Sequence, residues 1–145
     1  MRVAIGSDHA GFEWKEKVKK YLNDFGYEVV DFGTKSKDSV DYSEFGLKVA
    51  HAVADGEFDY GVNICWTGNG MAMASNKVKG IRAGLAVNAE MSHLTRLHNN
   101  ANILVLAQKY TPENEIEEIL KQFFNTKFEG GRHLRRIERF MDEEE

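Results

Sequence analysis

The only cysteine of the chain stands directly before a glycine-rich run, in the stretch "NICWTGNGMAMASNK" at residues 63–77. Cys65 ends an apolar segment that is typical of a buried strand, and residues 67–70 lead towards a helix. Backbone N–H groups at a helix N-terminus attract anions, so we expect them to lower the pKa of this thiol from about 8.5 towards neutrality. The position favours a reactive thiol; an inert buried thiol is the alternative, because cysteine is among the most buried residue types.

Two other stretches carry groups suited to moving protons or holding phosphate. Asp8 and His9 follow the first apolar run, where an acid beside an imidazole could act in proton transfer. Capping of the next helix is the alternative role for Asp8. Arg132 and Arg136 are i, i+4 neighbours, a spacing at which two guanidinium groups can grip one phosphate, although a solvated basic face has the same pattern.

Several well-defined sites are excluded because their motifs are missing. The chain has no G-x-x-x-x-G-K-[ST] phosphate loop, and Met73 stands where a dinucleotide-binding fingerprint needs its third glycine. The five histidines form no H-E-x-x-H pair and there is no second cysteine, so the sequence predicts no metal site. His98 stands near the end of a predicted helix, where a lone histidine is usually a surface or core residue.

Composition and charge limit the classes of function. A chain of 145 residues corresponds to one domain of ordinary size, residues 1–145. Its net charge of −4 and pI near 5.8 disfavour a nucleic-acid binder, which usually has a basic balance. The apolar runs are too short for a membrane span or a signal peptide, and one cysteine allows no internal disulfide. We therefore expect a cytoplasmic protein with neither nucleic-acid nor membrane partners.

Short apolar runs alternate with amphipathic helical patterns along the chain. The predicted strands cover residues 3–5, 28–32, 60–65, 82–87 and 103–107. The predicted helices lie at about 14–25 and 45–53, after Gly70, at 89–98, from an N-cap at Thr111, and after residues 130–131. The acidic tail, residues 142–145, is expected to fray.

This order predicts an α/β fold with three layers (α/β/α): a doubly wound, Rossmann-like, five-stranded parallel sheet with a C-terminal helix. Ligands of such sheets bind outside the carboxyl ends of the strands, at a switch in strand order. The turns that follow the strands, with Asp8 in the first and Cys65 in the third, are therefore the places where a site is expected.

Seven segments together resemble the ribose-5-phosphate isomerase B family, which also contains galactose-6-phosphate and allose-6-phosphate isomerases. They are "GSDHAG", "DFGT", "VDY", "TGNGMAMASNK", "GIRAGL", "LHNNANILVL" and "FEGGRH". They follow the order of the family and extend over nearly the whole chain, so the match is far more specific than any single motif.

The resemblance implies interconversion of aldose and ketose phosphates through an enediolate, without a metal or another cofactor. Cys65 resembles the base that moves a proton between C1 and C2, and Thr67 would pass protons between the two oxygens. The amides of residues 66–70 resemble an anion hole, and His98 with Asp8 resembles the pair that opens the sugar ring. Positions that resemble contacts to the sugar or its phosphate are His9, Tyr42, Trp66, Gly68, Asn69, Gly70, Asn99, Lys109, Arg132, His133 and Arg136.

In that family the two arginines come from a partner subunit, so the resemblance implies a homodimer with shared active sites. A tetramer of two dimers is the alternative. Residues 130–145, the C-terminal helix and acidic tail, are expected to take part in the dimer contacts.

The chain departs from the family pattern beside the thiol. Trp66 stands where the family usually has glycine, Lys109 where many members have arginine, and Ser43 where proline is usual. A tryptophan at positive φ would be strained by roughly 1–2 kcal/mol, whereas at negative φ its amide can still point inwards. Ribose 5-phosphate is the leading substrate; a tetrose or hexose phosphate, or phosphosugar binding without catalysis because of Trp66, are the alternatives.

Overall fold

A computed structural model describes residues 1–144 and contains one five-stranded, wholly parallel sheet in the order β2-β1-β3-β5-β4. The strands are β1 (Arg2–Ser7), β2 (Glu28–Asp31), β3 (Tyr60–Cys65), β4 (Ala83–Leu85) and β5 (Ile103–Ala107). The helices are α1 (Phe12–Asp24), α2 (Tyr42–Ala54), α3 (Asn69–Ser75), α4 (Ala89–Leu97), α5 (Ile116–Asn125) and α6 (Arg132–Met141). The predicted fold class, with helices on both faces of the sheet and a C-terminal helix, is confirmed.

Alternate residues of the central strands face two separate cores. Val62 and Ile64 of β3 pack with apolar residues of α1 and α5, including Leu22 and Phe123. Cys65, at the end of the same strand, belongs to the opposite core with residues of α2 and α3. Successive side chains of a strand point to opposite faces, so this alternation places the thiol against α3.

Two predictions for local structure are wrong. Thr111 does not cap a helix, because its hydroxyl oxygen has no hydrogen-bond partner within residues 1–144. Pro112 precedes a 3₁₀ turn at Glu113–Glu115, and α5 begins only after that turn.

The acidic tail does not fray over its described part: Asp142–Glu144 form a 3₁₀ turn, and Glu144 accepts a hydrogen bond from the Gly80 N–H at 2.7 Å. Glu145, also part of that prediction, lies outside the described residues.

A buried ion pair joins α1 to the end of β2. Lys15 is fully buried, and its Nζ lies 2.6 Å from Asp31 Oδ2 and 2.6 Å from the carbonyl oxygen of Thr34. Burial tends to raise the pKa of Asp31, but hydrogen bonds from Lys15, Lys19 and the Gly33 N–H outweigh it and hold that pKa below its ordinary value. This cluster fixes the chain that leaves β2, which is hydrogen-bonded to Ser7 at the end of β1.

The sheet reverses its direction of growth between β1 and β3, which are neighbours in space but not in sequence. Their carboxyl ends carry Asp8 and Cys65, so the fold brings the first and third turns together at the place where ligands of such sheets bind. None of the helices in residues 1–144 has the length and apolar character needed to cross a bilayer.

Candidate active site

The thiol of Cys65 is buried at the carboxyl end of β3, where the residue is only 4% exposed. Burial raises the pKa of Cys65 above its ordinary value, and the charge of Asp8 adds to this rise. The backbone N–H groups of Met71, Gly68 and Thr67 face the sulfur and oppose the rise. The expected lowering of the thiol pKa is therefore wrong for the single chain, because loss of hydration outweighs the N–H groups.

The loop after Cys65, residues 66–70, needs glycine at two positions. Gly68 has a φ of +81°, and a Cβ placed there would come within 2.5 Å of Leu85 Cδ1. A Cβ on Gly70 would lie 2.5 Å from the ring of Tyr42. Tyr42 is the first residue of α2 and a predicted sugar contact. Its ring therefore packs directly on the loop that faces the thiol.

Trp66 fits the loop without backbone strain. Asn100 is the one non-glycine residue with positive φ in residues 1–144, so Trp66 does not occupy the left-handed region. Its side chain is 48% exposed beside the buried thiol. Phosphosugar binding without catalysis was an alternative because Trp66 could distort the loop. The N–H groups of Thr67 and Gly68 nevertheless face the sulfur, so the loop keeps the donors that the reaction needs.

Asp8 and His9 link the first turn to its neighbours. The Asp8 carboxylate accepts a hydrogen bond from the Gly11 N–H at 2.9 Å in the turn before α1, but it does not cap that helix, whose N-cap is Gly11; its own N–H donates to the Ile64 carbonyl oxygen. Its charge nevertheless acts on Cys65, so the two groups are close. His9 Nδ1 accepts from the Val40 N–H at 3.2 Å, which leaves Nε2 for a proton or a ligand.

His98 lies in a second cluster, at the end of α4. Its ring stacks on that of His133 with centroids 4.3 Å apart, and Glu129 lies beside both. No hydrogen bond or ion pair joins His98 to Asp8 within residues 1–144, so the two groups expected to open the sugar ring lie in separate clusters of the single chain, and their shared role stays a prediction. Loss of hydration and the positive charges of His98, Arg132 and Arg136 lower the pKa of His133, against the opposing charge of Glu129.

The remaining phosphate and sugar candidates are less closely tied to the thiol. The Lys109 N–H donates to the Trp66 carbonyl oxygen at 2.9 Å, and its Nζ lies over the Tyr110 ring. Asn99 lines a cavity of about 600 Å³ next to Arg82 and Phe140. Arg132 and Arg136 are exposed on α6, and Asn69 is exposed at the start of α3.

Sequence reasoning missed two groups of the site. The Met71 N–H, in the first turn of α3, faces the sulfur although the expected anion hole ended at residue 70. Glu129 contacts the histidine cluster, and its spacing from His133 gave no signal for that contact, because Gly130 and Gly131, both at positive φ, separate it from α6.

Comparisons with known proteins identify the family of this chain and agree with its fold. The sequence pattern of the family described as Ribose/Galactose Isomerase matches residues 3–140. Ribose-5-phosphate isomerase B of Escherichia coli is 38% identical over 94% of this chain and 92% of its own length. The Clostridium thermocellum ribose-5-phosphate isomerase B structure superposes with a TM-score of 0.97, at 44% identity over 99% of this chain and 97% of that one.

A further match is the Mycoplasma genitalium ribose-5-phosphate isomerase B, whose structure contains bound ribulose 5-phosphate. It has a TM-score of 0.94 and 38% identity, and the alignment covers 99% of this chain and 95% of that one.

Proposed function

Because the chain belongs to the Ribose/Galactose Isomerase family of sugar-phosphate isomerases, we propose that it interconverts ribose 5-phosphate and ribulose 5-phosphate through an enediolate. The observation that carries this proposal is the buried thiol of Cys65, with the N–H groups of Thr67, Gly68 and Met71 facing it and the Asp8 carboxylate nearby. A base beside preorganised N–H donors is the arrangement that an enediolate reaction needs.

In the proposed reaction, His98 opens the furanose ring by protonating the ring oxygen while the Asp8 carboxylate takes the proton of the anomeric hydroxyl, and exchange with solvent returns both groups to their starting states. The Cys65 thiolate then removes the C2 proton of the open aldose, and the electron pair forms the enediolate. Thr67 passes a proton between O1 and O2, and the Cys65 thiol returns the carried proton to C1. No proton or electron is gained or lost overall, so the reaction needs no redox cofactor.

The raised pKa of the thiol suits this role in one respect. A base with a high pKa is a strong base once it has lost its proton, although only a small fraction is deprotonated near neutral pH. The buried N–H groups around the sulfur would stabilise both the thiolate and the oxyanions of the enediolate.

We propose that the phosphate is held by His9 of one chain and by Arg132 and Arg136 of a second copy. Both arginines are exposed on α6, and so are the apolar side chains of Leu134 and Phe140. An uncovered apolar and basic helix favours a homodimer in which α6 packs against the partner. Lys109 would add a further positive charge near the loop.

Two relatives favour ribose 5-phosphate as the substrate. The Escherichia coli relative is named for ribose 5-phosphate, and the Mycoplasma genitalium relative was captured with ribulose 5-phosphate. One feature of this chain favours a second candidate, because the half-exposed Trp66 indole beside the thiol could select a tetrose or hexose phosphate instead.

A substrate panel distinguishes the two candidates. The wild-type enzyme and Trp66→Gly would be assayed in EDTA on ribose 5-phosphate, erythrose 4-phosphate, allose 6-phosphate and galactose 6-phosphate. We expect ribose 5-phosphate to have the highest kcat/KM in the wild type and EDTA to have no effect. A wild type that prefers another sugar phosphate, with that preference lost in Trp66→Gly, would establish the second candidate in its place.

A further inference from the structure

Three side chains with metal-binding atoms meet where α4 ends and the chain approaches α6. The ligand atoms of His98, Glu129 and His133 all lie within 4.8 Å of one another. The Glu129 N–H donates to the Leu97 carbonyl oxygen at 2.9 Å, which fixes the approaching segment against α4. Glu129 lies before α6, and its Oε2 is 3.4 Å from Nε2 of His133 in the first turn of that helix.

The separations of these atoms are close to those of a chelate. A zinc ion lies about 2.0–2.2 Å from nitrogen and oxygen ligands in tetrahedral geometry, so two of its ligand atoms are about 3.4 Å apart. Glu129 Oε2 is 3.4 Å from His133 Nε2 and 3.8 Å from His98 Nε2. Two imidazoles with one carboxylate suit zinc, cobalt or nickel better than magnesium or calcium.

The state of His133 independently points to a missing ligand. The residue is only 7% exposed, and its Nε2 is buried without a hydrogen-bond partner within residues 1–144. Glu129 Oε2 is within 3.4 Å of that nitrogen but does not form a hydrogen bond with it. Buried polar atoms normally have a partner, and a cation placed between the nitrogen and the carboxylate would supply one.

Chelation needs one ring to turn. The His98 and His133 rings are stacked at 15°, so their nitrogen lone pairs lie in two nearly parallel planes and do not converge on one point. His98 is the ring with freedom to turn, because its side chain is 37% exposed and makes no hydrogen bond within residues 1–144. Chelation therefore requires the His98 ring to rotate until its Nε2 lone pair points at the space between Glu129 and His133.

We propose that His98, Glu129 and His133 form a binding site for a zinc-type divalent cation, and that the bound cation inhibits the enzyme. The inhibitory part rests on the proposed function, because it follows from the role of His98 in opening the sugar ring. A cation that holds the imidazole of His98 removes the group that would exchange protons with the sugar. The binding part rests on the cluster alone.

Binding is tested on the EDTA-treated, full-length protein by calorimetric titration with ZnCl₂ and by the visible spectrum of Co²⁺. We expect one ion per chain and tetrahedral-type Co²⁺ absorption. Loss of outer partners alone lowers metal affinity about 10–100-fold, so Glu129→Gln should weaken binding by at least about tenfold. Glu138→Gln, which removes an exposed carboxylate from α6, is the matched control and should bind as the wild type does.

Two results would overturn the binding site. One is equal affinity for zinc in the wild type and Glu129→Gln. The other is loss of zinc binding in Cys65→Ala, which would show that the thiol binds the ion.

The inhibitory role is tested by the zinc concentration that halves turnover of ribose 5-phosphate, with each variant compared to its own metal-free rate. We expect Glu129→Gln to need at least about tenfold more zinc than the wild type and Glu138→Gln to need the same amount. Equal inhibition of Glu129→Gln and the wild type would refute the role. If no sugar phosphate is turned over at all, the proposed function fails, while the calorimetric and Co²⁺ results still decide whether the site exists.

Discussion

Cys65 combines two properties that usually exclude one another, burial and a surrounding of hydrogen-bond donors. The hydrophobic core of α2 and α3 encloses the sulfur on one side, while Thr67, Gly68 and Met71 turn their N–H groups to it on the other. Burial raises the pKa of Cys65 and prevails in the single chain. The thiol is therefore mainly protonated in the single chain, and its reactivity depends on pH.

This balance predicts an alkaline limb in the reactivity of Cys65. The raised pKa means that the protonated thiol persists to a higher pH than the ordinary value of about 8.5. Because the thiolate is the nucleophile, the rate of alkylation by iodoacetamide should keep rising well above neutral pH, as measured by mass spectrometry. The kcat/KM of the free enzyme should rise along the same limb if the thiolate is the base. An alkylation rate that has already reached its plateau at neutral pH would contradict the raised pKa.

Residue patterns predicted where the thiol lies but not its pKa. Cys65 before a glycine loop indicates a strand end and a nearby helix, and both are present. The pKa depends on how much water the folded chain leaves around the sulfur, which is set by contacts from α2 and α3. Trp66 is a similar case, because its backbone conformation and its half-exposed indole follow from the loop as a whole.

At the scale of elements, the fully buried Lys15 makes α1 and β2 depend on one another. Its ammonium group is compensated by the Asp31 carboxylate at 2.6 Å and by the Thr34 carbonyl oxygen. The same carboxylate accepts from Lys19 and from the Gly33 N–H, so one side chain organises the chain that leaves β2. That chain is hydrogen-bonded to Ser7, immediately before Asp8 in the site.

We predict that Asp31→Asn lowers the free energy of unfolding by about 3–5 kcal/mol, because it removes the closest counter-charge of the buried Lys15 and leaves it the half-exposed carboxylate of Glu16 at 3.7 Å. Glu28→Gln, at the other end of β2, breaks an exposed pair with Arg2 and should cost no more than about 1 kcal/mol. Urea unfolding at neutral pH measures both. Equal losses of unfolding free energy in the two variants would contradict this prediction, because the buried pair would then contribute no more than the exposed one.

The pH dependence of the Asp31 contribution follows from its lowered pKa. The stabilisation is present above the unfolded-state value of about 3.9 and disappears as the pH falls through the lower folded-state value. The difference in stability between the wild type and Asp31→Asn should therefore shrink in acid.

Element boundaries were predictable where the apolar run was compact. The bounds of β3 and β5 agree with the predicted 60–65 and 103–107. β4 covers only Ala83–Leu85 of the predicted 82–87, because it pairs with a single neighbour, β5. Thr111 failed as an N-cap because Pro112 leads into a 3₁₀ turn, and local residue preferences do not distinguish that turn from the start of an α-helix.

At the scale of the whole molecule, α6 leaves most of its side chains uncovered in the single chain. His133 and Ile137 are its buried residues, whereas Leu134, Phe140 and the arginines are exposed. The order of elements along the chain was enough to predict the parallel sheet and the meeting of Asp8 with Cys65. It was not enough to place His98 beside Glu129 and His133, since that contact depends on the path of residues 126–131 back to α4.

The proposed sharing of the site between two chains predicts complementation. Cys65→Ala and the double variant Arg132→Ala/Arg136→Ala should each be inactive alone. Coexpressed at equal levels, they should form mixed dimers with one complete site, and recover about a quarter of wild-type specific activity if the chains pair at random. Activity no greater than the sum of the two separate variants would place the base and the arginines in one chain.

The central claim, that Cys65 moves the proton in sugar-phosphate isomerisation, is tested most directly by proton NMR of ribose 5-phosphate in D₂O. The wild type should form ribulose 5-phosphate that carries deuterium at C1, and the ribose 5-phosphate that remains should gain deuterium at C2. Cys65→Ala, shown to be folded by circular dichroism, should lose both isomerisation and deuterium incorporation by at least about a hundredfold. Deuterium incorporation at the wild-type rate in Cys65→Ala would contradict the account.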